Sequence, residues 1–257
     1  MTFRNIVHTR EDDFAIITLT RPERRNTLSE VTLQEILQAL KAVASSDARG
    51  LILCAEGPVF SAGHDFQDLG ERDLQGMHAL LSLCREVMQN LQSLAQPTIA
   101  QVEGLATAGG CQLVASCDLA VAGVSSQFAV PGGRGGWFCT TPGVALARAI
   151  GRKKALEMLL TGDPIDAAAA MAWGLVNQVV ADHEVAKATR ELLARATRGS
   201  ALSKAIGKRA FYQQVDLPTD HAYDLATEVM ASSSQTEDGR EGVRAFLEKR
   251  KARFTDR

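Results

Sequence analysis

Two hydrophobic rhythms alternate along most of the chain. Short apolar runs occur at 14–19 (FAIITL), 51–55 and 98–102, with further candidates at 6–8, 119–122 and 175–180. Their length and their β-branched or small residues predict strands. Between them the apolar positions change to helical spacing. Leu33, Ile36, Leu37, Leu40 and Val43 share one helix face, and Ser29 stands ahead of them where an N-cap belongs. A long helix is predicted over 74–95 and a short one over 110–116. Residues 21–27 (RPERRNT) and 57–70 predict loops. Strands alternating with helices predict an α/β domain whose strands are mostly parallel.

From about Pro142 the pattern is mainly helical, broken by the strand at 175–180, and beyond His183 only helices are expected. A soft boundary near 195–200 separates a core of residues 1–197 from a helical C-terminal region of 198–257. The chain carries no low-complexity linker and no strict repeat.

Composition narrows the class of function more than it names one. With 46% hydrophobic and 23% charged residues, the 257-residue chain has an ordinary globular balance. A formal net charge of −2 gives no electrostatic reason to expect nucleic acid or an anionic membrane as partner. No run reaches the apolar length of a membrane span, and the first residues lack the apolar segment of a secretory signal. Cys54, Cys84, Cys111, Cys117 and Cys139 form no CxxC pair and no zinc-binding spacing, which suits a reducing compartment. Cytoplasm is the expected location. No glycine fingerprint for dinucleotide or nucleotide phosphate is present, which weakens the reading of a nucleotide-dependent α/β enzyme.

Two segments carry candidate chemistry. In residues 57–68 (GPVFSAGHDFQD), Ser61, Ala62 and Gly63 keep side chains out of the way of a closely approaching ligand, although a surface turn would use the same residues. In residues 102–118 (VEGLATAGGCQLVASCD), Gly109 and Gly110 open a helix whose free N–H groups suit a developing negative oxygen. Such donors contribute roughly 3–4 kcal/mol to a transition state. Close packing at a helix entry would equally explain the glycines.

Together, in this order and separation, the two segments resemble the crotonase (enoyl-CoA hydratase/isomerase) superfamily, and in particular its enoyl-CoA hydratase domain-containing subgroup. The resemblance extends through RPERRNTLS near the start, residues 148–180, and EGVRAFLEKRKARF at the end. It implies a spiral of β-β-α units with a helical C-terminal region, assembled as homotrimers or hexamers. It also implies an acyl-CoA thioester as substrate, with no separate cofactor or metal. The thioester oxygen would be held by the backbone N–H groups of His64 and Gly109. Ala62, Asp65, Phe66, Gln67, Gly110 and Gln112 would line the pocket. Arg25 would meet the phosphates of coenzyme A, and Phe246 and Lys249 would reach the coenzyme from the C-terminal region. A solvated arginine, and a helix with one apolar and one wet face, account for the last three residues equally well.

The chain departs from the family where hydratases carry two glutamates. The first position is Gln112, and the second is Gly132 after Pro131. Hydration of an unsaturated thioester needs a base for water and an acid for the α-carbon, and neither replacement transfers protons near neutral pH. Candidates to compensate lie in residues 132–142 (GGRGGWFCTTP): Trp137 and Phe138 to shape an apolar site, Cys139, Thr140 and Thr141 to carry protons, and Arg134 to bind a carboxylate. Cysteine is commonly a small buried hydrophobe, and threonines ahead of Pro142 suit a helix cap. The implied function is therefore an acyl-CoA-binding enzyme of doubtful hydratase efficiency. The alternative is a non-catalytic acyl-CoA-binding or regulatory oligomer. His78, His183 and His221 have no evident partner and are assigned no role.

Overall fold

The computed structural model describes residues 3–70 and 72–256. Strands β1 (Ile6–Glu11) and β2 (Phe14–Leu19) form an antiparallel hairpin. Ser29 then accepts the Thr32 N–H in its side chain and starts helix α1 (Glu30–Ala44), as its position in the sequence predicts. From there the chain repeats one unit three times: a strand, a second short strand, then helix. The first unit is β3 (Gly50–Ala55), β4 (Val59–Ser61), and helices α2 (Phe66–Gly70) and α3 (Leu74–Ser93). The second is β5 (Thr98–Val102), β6 (Leu105–Thr107) and α4 (Gly109–Ser116). The third is β7 (Leu119–Gly123), β8 (Gln127–Ala129) and α5 (Thr140–Thr161).

Each unit gives its first strand to one sheet and its second to another. After β9 (Ile165–Asp166), α6 (Ala167–Trp173) and β10 (Gln178–Val180), the sheet orders are β1-β2-β3-β5-β7-β10 and β4-β6-β8-β9. Apart from the β1–β2 and β8–β9 pairs, the strands run parallel. The period of two sorts the large sheet's side chains onto two faces. Ile16, Ile52, Ile99 and Val121 point one way and meet Val185 and Leu193 of α7 (Val185–Ala196). Ile17, Leu51, Leu53 and Ala100 point the other way into the main core. Burial on both faces is why these strands read as nearly continuous apolar runs.

Helices α8 (Ala201–Gln214), α9 (Thr219–Ser233) and α10 (Glu237–Leu247) complete the chain. Phe211, Tyr223, Met230, Phe246 and Leu247 stand exposed on them. Three sequence expectations change. Residues 57–70, expected as loop, contain β4 and α2. The turn after β5 contains β6. The strand expected over 175–180 shrinks to β10, because Leu175 spends its N–H on the Ala170 carbonyl to close α6.

Candidate active site

The polar loop before α1 and the end of β4 build the first turn of the site. Asn26 sits at φ +50, and its side-chain amide donates to the carbonyls of Glu56 (2.9 Å) and Val59 (2.8 Å) while its oxygen accepts the Arg21 N–H (2.8 Å). The buried Ser61 hydroxyl donates to the Asn26 carbonyl at 2.8 Å and accepts the Gly63 N–H at 3.2 Å. Ala62 donates its N–H to the Arg25 carbonyl at 3.0 Å. With those two N–H groups occupied, the next one, on His64, has no acceptor among the described residues.

The second turn is held by strain. Ala108, at φ +50 and ψ −116, occupies a backbone region costly for a residue with a side chain, and its N–H is tied to the Ala129 carbonyl at 2.9 Å. The reversal makes Gly109 the first residue of α4, so its N–H has no carbonyl one turn back to accept it. The two turns touch. A Cβ on Gly63, itself at φ +80, would lie 2.9 Å from the Gly109 nitrogen, and one on Gly110 would lie 2.3 Å from the Ser61 carbonyl oxygen. The glycines let β4 and α4 close against each other.

A cavity of about 470 Å³ opens beside both amides. Ala62, His64, Ala108 and Gly109 form one wall, with Phe66 and Leu81 beside them. Trp137, Phe138, Cys139 and Pro142 also line the cavity, together with Thr140 and Thr141 at the start of α5. The lining is mostly apolar, suited to an acyl chain rather than a sugar or nucleotide. Both ring nitrogens of His64 are buried without a hydrogen-bond partner, as is the Gln112 side-chain oxygen. Burial holds the His64 imidazole below its usual pKa, only partly opposed by the Leu28 carbonyl, which is near the ring but outside good hydrogen-bond geometry, and by the charge of Asp68. Burial pushes the Cys139 thiol up, partly offset by the Gly132 N–H on its sulfur at 3.3 Å.

The residues singled out in the sequence do not all meet at this cavity. His64, Gly109, Ala62 and Phe66 line this cavity, together with Trp137, Phe138, Cys139, Thr140 and Thr141. Asp65 and Gln67, expected to continue along it, turn away instead. Arg24 grips Asp65 at 3.0 Å and Gln67 at 2.7 Å, and Thr27 adds a bond to Asp65 at 3.0 Å, so both line a separate polar crevice. Gly110 and Gln112 are buried behind the wall rather than on it. Arg134 faces outward and pairs with Asp163 at 3.0 Å. Thr140 and Thr141 lie inside the first turn of α5, with Cys139 at the cap position, so neither is the cap.

Arg25 is exposed, with its side chain in no ion pair among the described residues, while its carbonyl supports Ala62. Phe246, 82% exposed, and Lys249 lie in the C-terminal region and do not reach the cavity within one chain. Asn26 and Ala108 are residues the sequence did not flag, and Ser61 was flagged for its small size and not for its hydroxyl. Only the asparagine offered a hint, as a residue type that tolerates positive φ next to a proline-containing loop.

Paired sheets fed by repeated β-β-α units, with two glycine turns meeting over an apolar cavity, define a crotonase-type fold. The comparisons agree. The family described as enoyl-CoA hydratase/isomerase matches residues 9–257, and the chain belongs to it. It is similar to the enoyl-CoA hydratase domain-containing protein 3, mitochondrial, of Homo sapiens, at 44% identity over 93% of this chain and 80% of that protein. The Mus musculus protein of the same name is 43% identical over 94% of this chain and 81% of its own length. The crystal structure of human enoyl coenzyme A hydratase domain-containing protein 3 superimposes with a TM-score of 0.93 at 43% identity, covering 97% of this chain and 100% of that one.

The expected cytoplasmic location is corrected by these relatives. The human and mouse proteins are named as mitochondrial, which points away from a purely cytoplasmic protein. Cysteine usage could not decide the location, because free thiols suit any reducing compartment and do not single out the cytoplasm. No helix among the described residues is long and apolar enough to cross a membrane.

Proposed function

We propose that the cavity receives the acyl part of an acyl-CoA thioester, with the thioester oxygen between the N–H groups of His64 and Gly109, and that the protein acts as a lyase or isomerase on that thioester. The observation that carries this reading is the pair of unsatisfied amides at the edge of one apolar cavity. When an α-proton leaves or a nucleophile adds, negative charge gathers on that oxygen. Fixed donors stabilise it without having to reorganise. Arg25, exposed beside the first turn, is free to bind a phosphate of the coenzyme. The exposed apolar residues of α8–α10 favour a homotrimer or hexamer, in which Phe246 and Lys249 approach a coenzyme bound by a neighbouring copy.

Hydration is the reaction the site is worst equipped for. Gln112 is a buried amide, and Gly132 has no room for an acid. A Cβ there would lie 2.2 Å from the Trp137 carbonyl oxygen and 2.7 Å from the Cys139 sulfur. A mass-spectrometric screen of acyl-CoA turnover is the direct test. Thioesters are expected to bind, with hydration of crotonyl-CoA very slow in the unmodified protein. Gln112→Glu should raise it, whereas Gly132→Glu should fail for steric reasons. Rapid hydration by the unmodified chain would mean another group supplies the protons, and no binding of any acyl-CoA would end the proposal.

The blocked Gly132 position also favours a second reading, a binding or regulatory oligomer without turnover. Tight binding across the panel with no product or isotope exchange would select it.

A further inference from the structure

We propose that this site selects thioesters of medium-length, uncharged acyl chains, and that Trp137 and Phe138 set that selection. The proposal rests on the thioester reading above and names the class of acyl group. It begins where the chain lacks the second glutamate. Gly132 and Gly133 let the loop after β8 fold back on itself. The Trp137 N–H donates to the Gly132 carbonyl at 2.9 Å, and the Trp137 carbonyl oxygen stands 2.2 Å from where a Cβ on Gly132 would lie. The Phe138 ring comes within 3.2 Å of the corresponding point on Gly133. The room that an acid at position 132 would need is thus taken by the segment that brings two aromatic residues to the cavity. The missing acid and the aromatic lining are two sides of one loop conformation.

Exposure shows where these rings stand. Phe66, Trp137 and Phe138 line the cavity, yet they are 81%, 44% and 41% exposed. They form its rim, with apolar surface that a short acyl group held at the two amides leaves in water. A longer chain covers that surface, and each buried methylene tightens binding by about fourfold.

The size of the cavity agrees. Its volume of about 470 Å³ equals roughly 15 water-sized units of about 30 Å³ each, and a methylene group is close to that size. A four-carbon chain leaves most of it unfilled, and an apolar lining without a neighbour forfeits its dispersion contacts. Once the thioester and the end of the pantetheine arm take their share, about eight to ten carbons fill the remainder.

The far end of the chain must also be uncharged. Among the described residues, no aspartate, glutamate, lysine or arginine lines the cavity. Arg134, the cation nearest in sequence to the aromatic pair, faces outward onto Asp163 at 3.0 Å. Burial disfavours a charge on His64. Threonine hydroxyls cannot neutralise a carboxylate, and that of Thr140 already donates to the Phe138 carbonyl at 3.2 Å. A carboxylate at the end of a six-carbon chain would therefore be buried without a cation, which an apolar site penalises heavily.

The test is calorimetric titration with butanoyl-, hexanoyl-, octanoyl- and adipoyl-CoA, with free coenzyme A as the reference. Kd should fall about fourfold per methylene from butanoyl- to octanoyl-CoA. Adipoyl-CoA, whose six carbons end in a carboxylate, should bind more than about tenfold weaker than hexanoyl-CoA. Trp137→Ala and Phe138→Ala, made singly, should each cut the preference for octanoyl- over butanoyl-CoA by about tenfold, while Kd for free coenzyme A stays within about threefold. Equal affinity for butanoyl- and octanoyl-CoA overturns the proposal. So does adipoyl-CoA binding as tightly as hexanoyl-CoA, or an undiminished octanoyl preference in both variants. The series on the unmodified protein decides alone if the variants do not fold. Binding that ignores the acyl chain removes this inference and leaves the thioester reading standing, whereas failure of every acyl-CoA to bind removes that reading first.

Discussion

Two buried polar clusters in this protein are built on opposite principles. Around Asp118, every bond is made. Lys208 pairs with its carboxylate at 2.7 Å, Tyr212 donates to it at 2.8 Å, and the Thr98 backbone and hydroxyl donate at 2.6 and 3.0 Å. Lys208 spends its other protons on the carbonyls of Leu91 and Gln96, both at 3.0 Å. At the cavity wall and behind it, by contrast, two backbone amides, both His64 ring nitrogens and the Gln112 oxygen lack a well-placed partner. The first cluster ties α8 to the core. The second leaves donors and acceptors idle in a place that burial makes expensive. Saturated bonding marks a joint, and unsaturated bonding beside a cavity marks a place prepared for something else to bind.

The largest effect should come from breaking the saturated cluster. Lys208→Met leaves the Asp118 carboxylate partly buried without its cation, and loss of one partner from such a pair costs about 3–5 kcal/mol. Urea unfolding should show that loss, while the folded fraction keeps its octanoyl-CoA affinity. If affinity falls with stability, the two clusters are not separate.

Next is the contact between the glycine turns. Gly110→Ala pushes a methyl group against the Ser61 carbonyl, 2.3 Å away, and overpacking of this kind costs about 1–3 kcal/mol. Because the strain falls where β4 and α4 close, acyl-CoA binding should weaken together with stability, unlike in Lys208→Met. Smaller again is Ser61→Ala. It removes the hydroxyl that links the Asn26 carbonyl to the Gly63 N–H, for about 1 kcal/mol by thermal or urea unfolding. Its effect on thioester binding should exceed its effect on stability, since the amide of His64 is aimed by that turn.

These contrasts explain what the sequence could reveal. Strands β2 and β5 and the Ser29 cap are legible because five or six residues suffice to express a period, and a cap is a local event. Strands β4, β6 and β8 are three residues each, too short to carry a rhythm, so none is predicted from the sequence. Yet they form the second sheet that brings Gly63 to Gly109. At the site, the glycine turns are legible as composition. The directions of Asp65 and Gln67 are not, because Arg24, more than 40 residues earlier, decides them. Nor is the closure of Gly132 against Trp137, which depends on how the loop after β8 folds back on itself. The reach of Asn26 to Glu56 and Val59 is equally nonlocal.

The smallest effect tests the idle cluster itself. Burial places the folded-state pKa of His64 below its unfolded value of 6.5. Between those two values the unfolded chain binds a proton that the folded one refuses, so unfolding free energy falls as pH drops through the window. Above 6.5 both states are neutral and the penalty is absent; below both values it is complete. His64→Gln cannot titrate, and it should lose less stability than the unmodified protein as pH is lowered from about 7.5 through 6.5 to about 5. Urea midpoints at both pH values measure the difference directly. Equal losses in the two proteins would show that the fold does not hold this imidazole neutral, and that its burial beside the cavity carries no penalty on the charged ring.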